Sequence, residues 1–137
     1  MYNIGMNEES VFTKIIKGEI PSHKVYEDEY TYAFLDIHPT VPGHTLIVPK
    51  VQRPYIWDMT DEEYQSLMAA VKKVGTHLKE VLGTPYVGTM VVGVEVPHAH
   101  VHILPFYDVA DLKRSFELKS DTPNHEELEQ MAKKIAF

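Results

Sequence analysis

The sequence predicts an α+β fold: a mostly antiparallel sheet of about five strands with one long helix and a C-terminal helix. Three observations predict it. Short β-branched and aromatic segments lie on both sides of one long amphipathic segment. The links between neighbouring strand segments are of hairpin length. No strict strand–helix–strand alternation of the kind that builds a parallel sheet occurs.

Each element follows from local chemistry. Val11-Phe12-Thr13-Lys14-Ile15-Ile16-Lys17 reads as a short helix stopped by Gly18. Residues 23–28 and 30–37 read as two strands joined by a tight acidic turn. Pro39-Thr40-Val41-Pro42-Gly43 is loop, and Thr45-Leu46-Ile47-Val48 is a third strand ended by Pro49. The strongest helix is Asp61–Leu82. Thr60 and Glu63 form a capping box, and Gly83 supplies the C-terminal stop. Its predicted buried stripe is Tyr64, Leu67, Met68, Val71, Val74, Leu78, Val81 and Leu82. Residues 86–96 read as a fourth strand broken by Gly88 and Gly93, and residues 98–104 as a fifth with Pro97 and Pro105 at its ends. A last helix starts at Thr122-Pro123 and buries Leu128, Met131, Ala132 and Ile135. Residues 1–10 read as a loose polar leader, residues 11–137 as one domain, and residues 106–137 as its C-terminal extension.

Bulk composition narrows the function classes. The chain has 137 residues, enough to bury about two-thirds of its unfolded surface. Hydrophobic residues make up 44% and charged residues 24%, the balance of a globular protein rather than a disordered one. The net charge is −7 and no basic run stands out, which argues against nucleic acid as a partner. No apolar run reaches the roughly 20 residues of a membrane helix. Cysteine is absent, so there is no disulfide or thiolate metal site, in keeping with a cytoplasmic location.

The chemistry-bearing segment is His98-Ala99-His100-Val101-His102-Ile103-Leu104-Pro105. Strand side chains alternate with a period of two, so His98, His100 and His102 share one face while Ala99, Val101 and Ile103 face the core. Alternate imidazoles then lie about 7 Å apart. Burying three imidazoles together costs stability, which favours a functional use. Two uses compete. His-x-His is a good metal pair, with His44 or His102 as a third ligand. Alternatively, an imidazole attacks phosphorus and its neighbours donate to phosphate oxygens and move protons. His23, His38, His77 and His125 read as surface or helix residues.

The segment resembles the signature of the histidine triad (HIT) family, His-φ-His-φ-His-φ-φ with φ apolar, at every position. The resemblance extends to the run from Phe12 to Pro21, to Val25-Tyr26-Glu27-Asp28, Ala33-Phe34-Leu35-Asp36-Ile37 and Pro42-Gly43-His44-Thr45-Leu46-Ile47-Val48-Pro49-Lys50. In this order the blocks resemble the Hint-like bacterial branch. The resemblance implies a HIT-like fold and a nucleotidyl hydrolase or transferase acting on a purine nucleotide, with no cofactor. His100 would attack the α-phosphorus and form a nucleotidyl-histidine that water hydrolyses. His98 and His102 would flank the phosphate, and His44 would complete the cluster. Asp36 would bind the ribose hydroxyls, and Phe34, Leu35 and Ile37 the base. The resemblance also implies a two-fold homodimer.

Two departures from the family pattern stand out. Where many bacterial relatives carry Cys-x-x-Cys for a structural zinc, this chain has Ser10 and Thr13, so no zinc of that type is expected. Where relatives carry Gly-Gln-(Ser/Thr)-Val, it has Gly93-Val94-Glu95-Val96. Val94 offers no hydrogen bond and ionised Glu95 would repel a phosphate, leaving Thr89 or backbone N–H groups as substitute donors. Two further readings follow: a nucleotide-binding protein with little catalysis, and a zinc-dependent hydrolase using the same histidines.

Overall fold

The computed structural model describes residues 8–114, 117 and 122–137. The expected leader therefore lies mostly outside the described residues, as does part of the connection before the last helix. In chain order the elements are α1 (Val11–Ile16), β1 (Lys24–Glu27), β2 (Thr31–Leu35), β3 (Thr45–Pro49), a 3₁₀ turn (Ile56–Asp58), α2 (Asp61–Leu82), β4 (Tyr86–Met90), β5 (Val101–Phe106), α3 (Val109–Arg114) and α4 (His125–Ile135). The five strands form one sheet in the order β1-β2-β3-β5-β4, and every neighbouring pair is antiparallel.

Strand alternation divides the sheet into two faces. Ala33, Leu35, Ile47, Val101 and Ile103 point to one side, where α2 and α4 cover them with Leu67, Val74, Leu78, Leu128 and Ile135. Tyr32, Phe34, Leu46 and Val48 point to the other, where α1 covers them with Phe12 and Ile15. The cap chemistry expected for α2 is present. Thr60 Oγ1 accepts from the Glu63 amide, the Glu63 side chain accepts from the Thr60 amide, and Gly83 closes the helix at φ +69°. The Arg53 guanidinium binds both oxygens of Glu63 and holds its carboxyl down to about 2.

Several boundaries differ from the sequence reading. β4 ends at Met90, and residues 91–100 form an irregular segment in which Gly93 has φ +74°. β5 begins at Val101, not at His98, and Pro105 lies inside it opposite Val87. Proline is tolerated there because the β3–β5 ladder spans Val101 to Ile103 and ends two residues before it, so no ladder partner on that side is lost. Tyr64 and Val81 are exposed, while Ala70, not in the predicted stripe, is buried on α2. α4 starts two residues later than expected, where the Asn124 side chain caps the Glu127 amide. Met131 and Ala132 are only partly buried on it. The chain end is tied down: the Phe137 amide donates to the Val25 carbonyl, and its ring stacks on His77 at 3.8 Å.

Candidate active site

His98 and His100 enter the site from the irregular segment just before β5, and His102 from β5 itself. The segment is pinned to the start of α2, because the Ala99 amide donates to the carbonyl of Arg53 (2.7 Å), the residue that grips Glu63. The expected alternation holds despite the missing ladder: Ala99, Val101 and Ile103 are buried, and the His100 and His102 rings meet edge to face at 5.1 Å. Phe12 from α1 packs its ring against His98 (5.7 Å), His100 (5.1 Å) and Phe34 (5.5 Å).

Hydrogen bonds assign the tautomers. Nδ1 of His100 lies 2.8 Å from the carbonyl oxygen of His98, which only accepts, so Nδ1 carries the hydrogen. Burial pushes the His100 pKa below its usual value despite the His98 carbonyl and the charges of Asp36 and Glu95, which act the other way. The ring is therefore neutral near pH 7, and its Nε2 carries a lone pair. His98 is fully buried and also held below its usual pKa by burial. Its Nε2 donates to the carbonyl of Pro49 (2.8 Å) and its Nδ1 lies 2.6 Å from Ser10 Oγ. Both nitrogens are thus engaged by protein groups.

His44 reaches the same cluster from the start of β3. The amide of Thr40 points at its Nδ1 (3.3 Å), which places the hydrogen of a neutral ring on Nε2. That Nε2 lies 2.9 Å from Nδ1 of His102 and 3.6 Å from Asp36 Oδ2. His102 then carries its own hydrogen on Nε2. Asp36 follows β2. Its amide donates to the His44 carbonyl and its Oδ1 accepts from the His38 amide, so carboxylate and imidazole are locked side by side. Among the described residues Asp36, His44 and His102 each offer one ligand atom within 4.8 Å of the others, the geometry of a three-ligand cation site. The hydrogen on His44 Nε2 opposes that use, since a metal needs the lone pair there.

The other expected residues divide between two places. Phe34 stands beneath the histidines on the α1 side of the sheet. Leu35 alternates to the opposite face and is buried under α2, and with Ile37 and His44 it lines a cavity of about 500 Å³ beneath α4. Thr89 is not brought to the cluster. It pairs with Ile103, on the helix side, and the neighbouring Met90 pairs with His102. Val94 is 71% exposed. Ser10, Thr13 and Gln52, which the motif does not mark as site residues, hydrogen-bond to one another beside His98. The only sequence signal for them was the position of Ser10 and Thr13 where relatives carry cysteine.

A family model described as HIT domain matches residues 17–109. The chain is 35% identical over 135 residues to Protein hit of Bacillus subtilis, covering 94% of this chain and 93% of that protein. It is 38% identical over 106 residues to the purine nucleoside phosphoramidase of Escherichia coli, covering 72% and 88%. Among solved structures, a Hit-like protein involved in cell-cycle regulation from Bartonella henselae superposes with a TM-score of 0.78 at 31% identity, covering 96% of this chain and 97% of that one.

Proposed function

The chain belongs to the HIT-domain family, and from that premise we propose that it is a nucleotide hydrolase that cleaves purine nucleoside 5′-phosphate derivatives at the α-phosphorus through a nucleotidyl-histidine on His100. One observation carries this reading. The His98 carbonyl holds the His100 proton on Nδ1, so Nε2 is a neutral nucleophile without the need for a separate base. Attack by Nε2 forms the N–P bond as the bond to the leaving group breaks. An amine leaving group takes its proton from His102 Nε2, drawn from a His102–His44 pair that has taken up one proton from solvent, so both rings are neutral after the transfer. Water then attacks the same phosphorus, the N–P bond breaks, and its electron pair returns to His100 while the proton of the water restores the His102–His44 pair. Asp36 binds the ribose hydroxyls, and Ile37, which lines the cavity beneath α4, flanks the base; Phe34 and Leu35 are buried on opposite faces of the sheet and do not meet one base together. The phosphoramidase activity named for the Escherichia coli relative supports an amine as leaving group.

The test offers adenosine phosphoramidates and dinucleoside polyphosphates to wild type and to His100→Ala. Turnover by wild type should fall by at least about a thousandfold in the variant, and a nucleotide adduct on His100 should be captured by quenching and mass spectrometry. Equal turnover by both proteins sinks the mechanism. The same reading has the chain working as a two-fold homodimer in the cytoplasm, and sedimentation tests the oligomer.

One observation favours a binding protein with little catalysis instead. The 93–96 segment presents Val94 and Glu95 where a phosphate would need donors. Tight nucleotide binding without turnover across the substrate panel would establish that alternative. Activity abolished by a chelator and restored by zinc would establish the zinc hydrolase.

A further inference from the structure

Ser10 is 3% exposed and caps α1, its Oγ accepting from the Thr13 amide at 3.0 Å. An N-cap hydroxyl still has a proton to place, and two acceptors compete for it: Thr13 Oγ1 at 3.3 Å and His98 Nδ1 at 2.6 Å, of which the shorter contact is the stronger. The Pro49 carbonyl accepts from His98 Nε2, so the hydrogen of that neutral ring is spent there and Nδ1 must accept. Two hydroxyls face Nδ1: Ser10 Oγ at 2.6 Å and Thr13 Oγ1 at 3.4 Å. Thr13 donates instead to Gln52 Oε1 at 2.7 Å. Ser10 is therefore the donor to His98.

Gln52 fixes this arrangement from the other side. The same Oε1 accepts from the Ser10 amide at 2.7 Å, while its amide nitrogen donates to the Glu8 carbonyl at 2.7 Å. The His98 ring is thus clamped at both nitrogens, and its carbonyl is the acceptor that holds the His100 proton on Nδ1. Two hydrogen bonds, joined through the covalent frame of His98, link the start of α1 to the nucleophile: Ser10 to the His98 ring, 88 positions away, and the His98 carbonyl to His100.

We infer that Ser10 is a positioning residue for His100, acting through His98, with Thr13 and Gln52 holding its hydroxyl in the donor orientation. The inference rests on the reading that His100 attacks phosphorus. Its structural half, the coupling of Ser10 to the His100 tautomer, stands apart from any activity.

The experiment uses the full chain labelled with ¹⁵N-histidine, as wild type, Ser10→Ala, Ser10→Thr and Thr13→Val. In wild type, imidazole nitrogen shifts should show His98 with hydrogen on Nε2 and His100 with hydrogen on Nδ1. In Ser10→Ala the His98 Nδ1 signal should lose its hydrogen-bonded shift, and the His100 ring should become a mixture of tautomers. With an adenosine phosphoramidate, kcat should fall roughly ten- to a hundredfold, KM should stay within about twofold, and Ser10→Thr should restore both tautomer and rate. Should Ser10→Ala not fold, Thr13→Val reports the same coupling by a smaller shift in the same direction. An unchanged His100 tautomer in the folded variants overturns the inference. So does a loss of kcat that Ser10→Thr does not restore while the tautomer is intact. A wild type without turnover defeats the functional reading alone, because the nitrogen shifts still decide whether Ser10 sets the His100 tautomer.

Discussion

His44 Nε2 and His102 Nδ1 lie 2.9 Å apart, a ring-to-ring hydrogen bond between β3 and β5 that joins side chains 58 positions apart. Its direction follows from the Thr40 amide. Because that N–H occupies His44 Nδ1, the proton between the rings belongs to His44, and His102 presents an N–H on its far side.

On the proposed mechanism the pair donates a proton to the leaving group, so removing His44 should be felt most where a proton is needed. His44→Ala should lower kcat roughly a hundredfold on an amine leaving group. It should cost far less on an activated leaving group that departs without protonation. Rapid-quench measurement of the first turnover on both substrates checks this; an equal loss on both would contradict the donor role.

Burial lowers the pKa of both His98 and His100, and the sign of the pH effect follows. The unfolded chain takes up protons as pH falls through about 6.5, whereas the folded state resists until lower pH. Stability should therefore be fully present above pH 6.5 and decline as pH drops from there through the lowered folded values. Denaturant melts at half-unit steps between pH 8 and 5 check this, with a flat profile as the contrary result. By the same shift, the acid limb of kcat/KM should lie below the ordinary histidine range.

Gly43, directly before His44, has φ +86°, and a Cβ there would stand 2.7 Å from Leu82 Cδ1. Gly43→Ala thus combines backbone strain with a clash against the end of α2. It should cost about 1–3 kcal/mol and displace His44 from His102. Thermal melts measure the first effect. Loss of the His44–His102 coupling in imidazole ¹⁵N spectra measures the second, and a variant with wild-type stability and spectra would contradict both.

The long helix was legible to the residue, because its signals are local. Thr60 and Glu63 cap each other within one turn, and Gly83 stops the helix in a conformation that suits glycine. The sharing of one face by His98, His100 and His102 was legible from period-two geometry, and it survives although only His102 is in the ladder. The end of β4 at Met90 was not legible. Residues 91–96 are apolar enough for a strand, but nothing local says where a partner strand runs out. Pro105 was misplaced for the same reason: whether a proline costs a ladder bond depends on the length of β3 on the far side.

The sequence by itself determined the class of fold, the extent of α2, the alternation of histidines and the family they signal, since each is written in spacing along a few neighbouring residues. The tertiary structure decided which nitrogen of each imidazole carries its proton. Those assignments come from the Pro49 carbonyl, Ser10 Oγ and the His44–Thr40 turn, groups brought to the histidines by chain closure over 49, 88 and 58 positions. A tautomer depends on the partner across the fold, and spacing along the chain does not encode that partner.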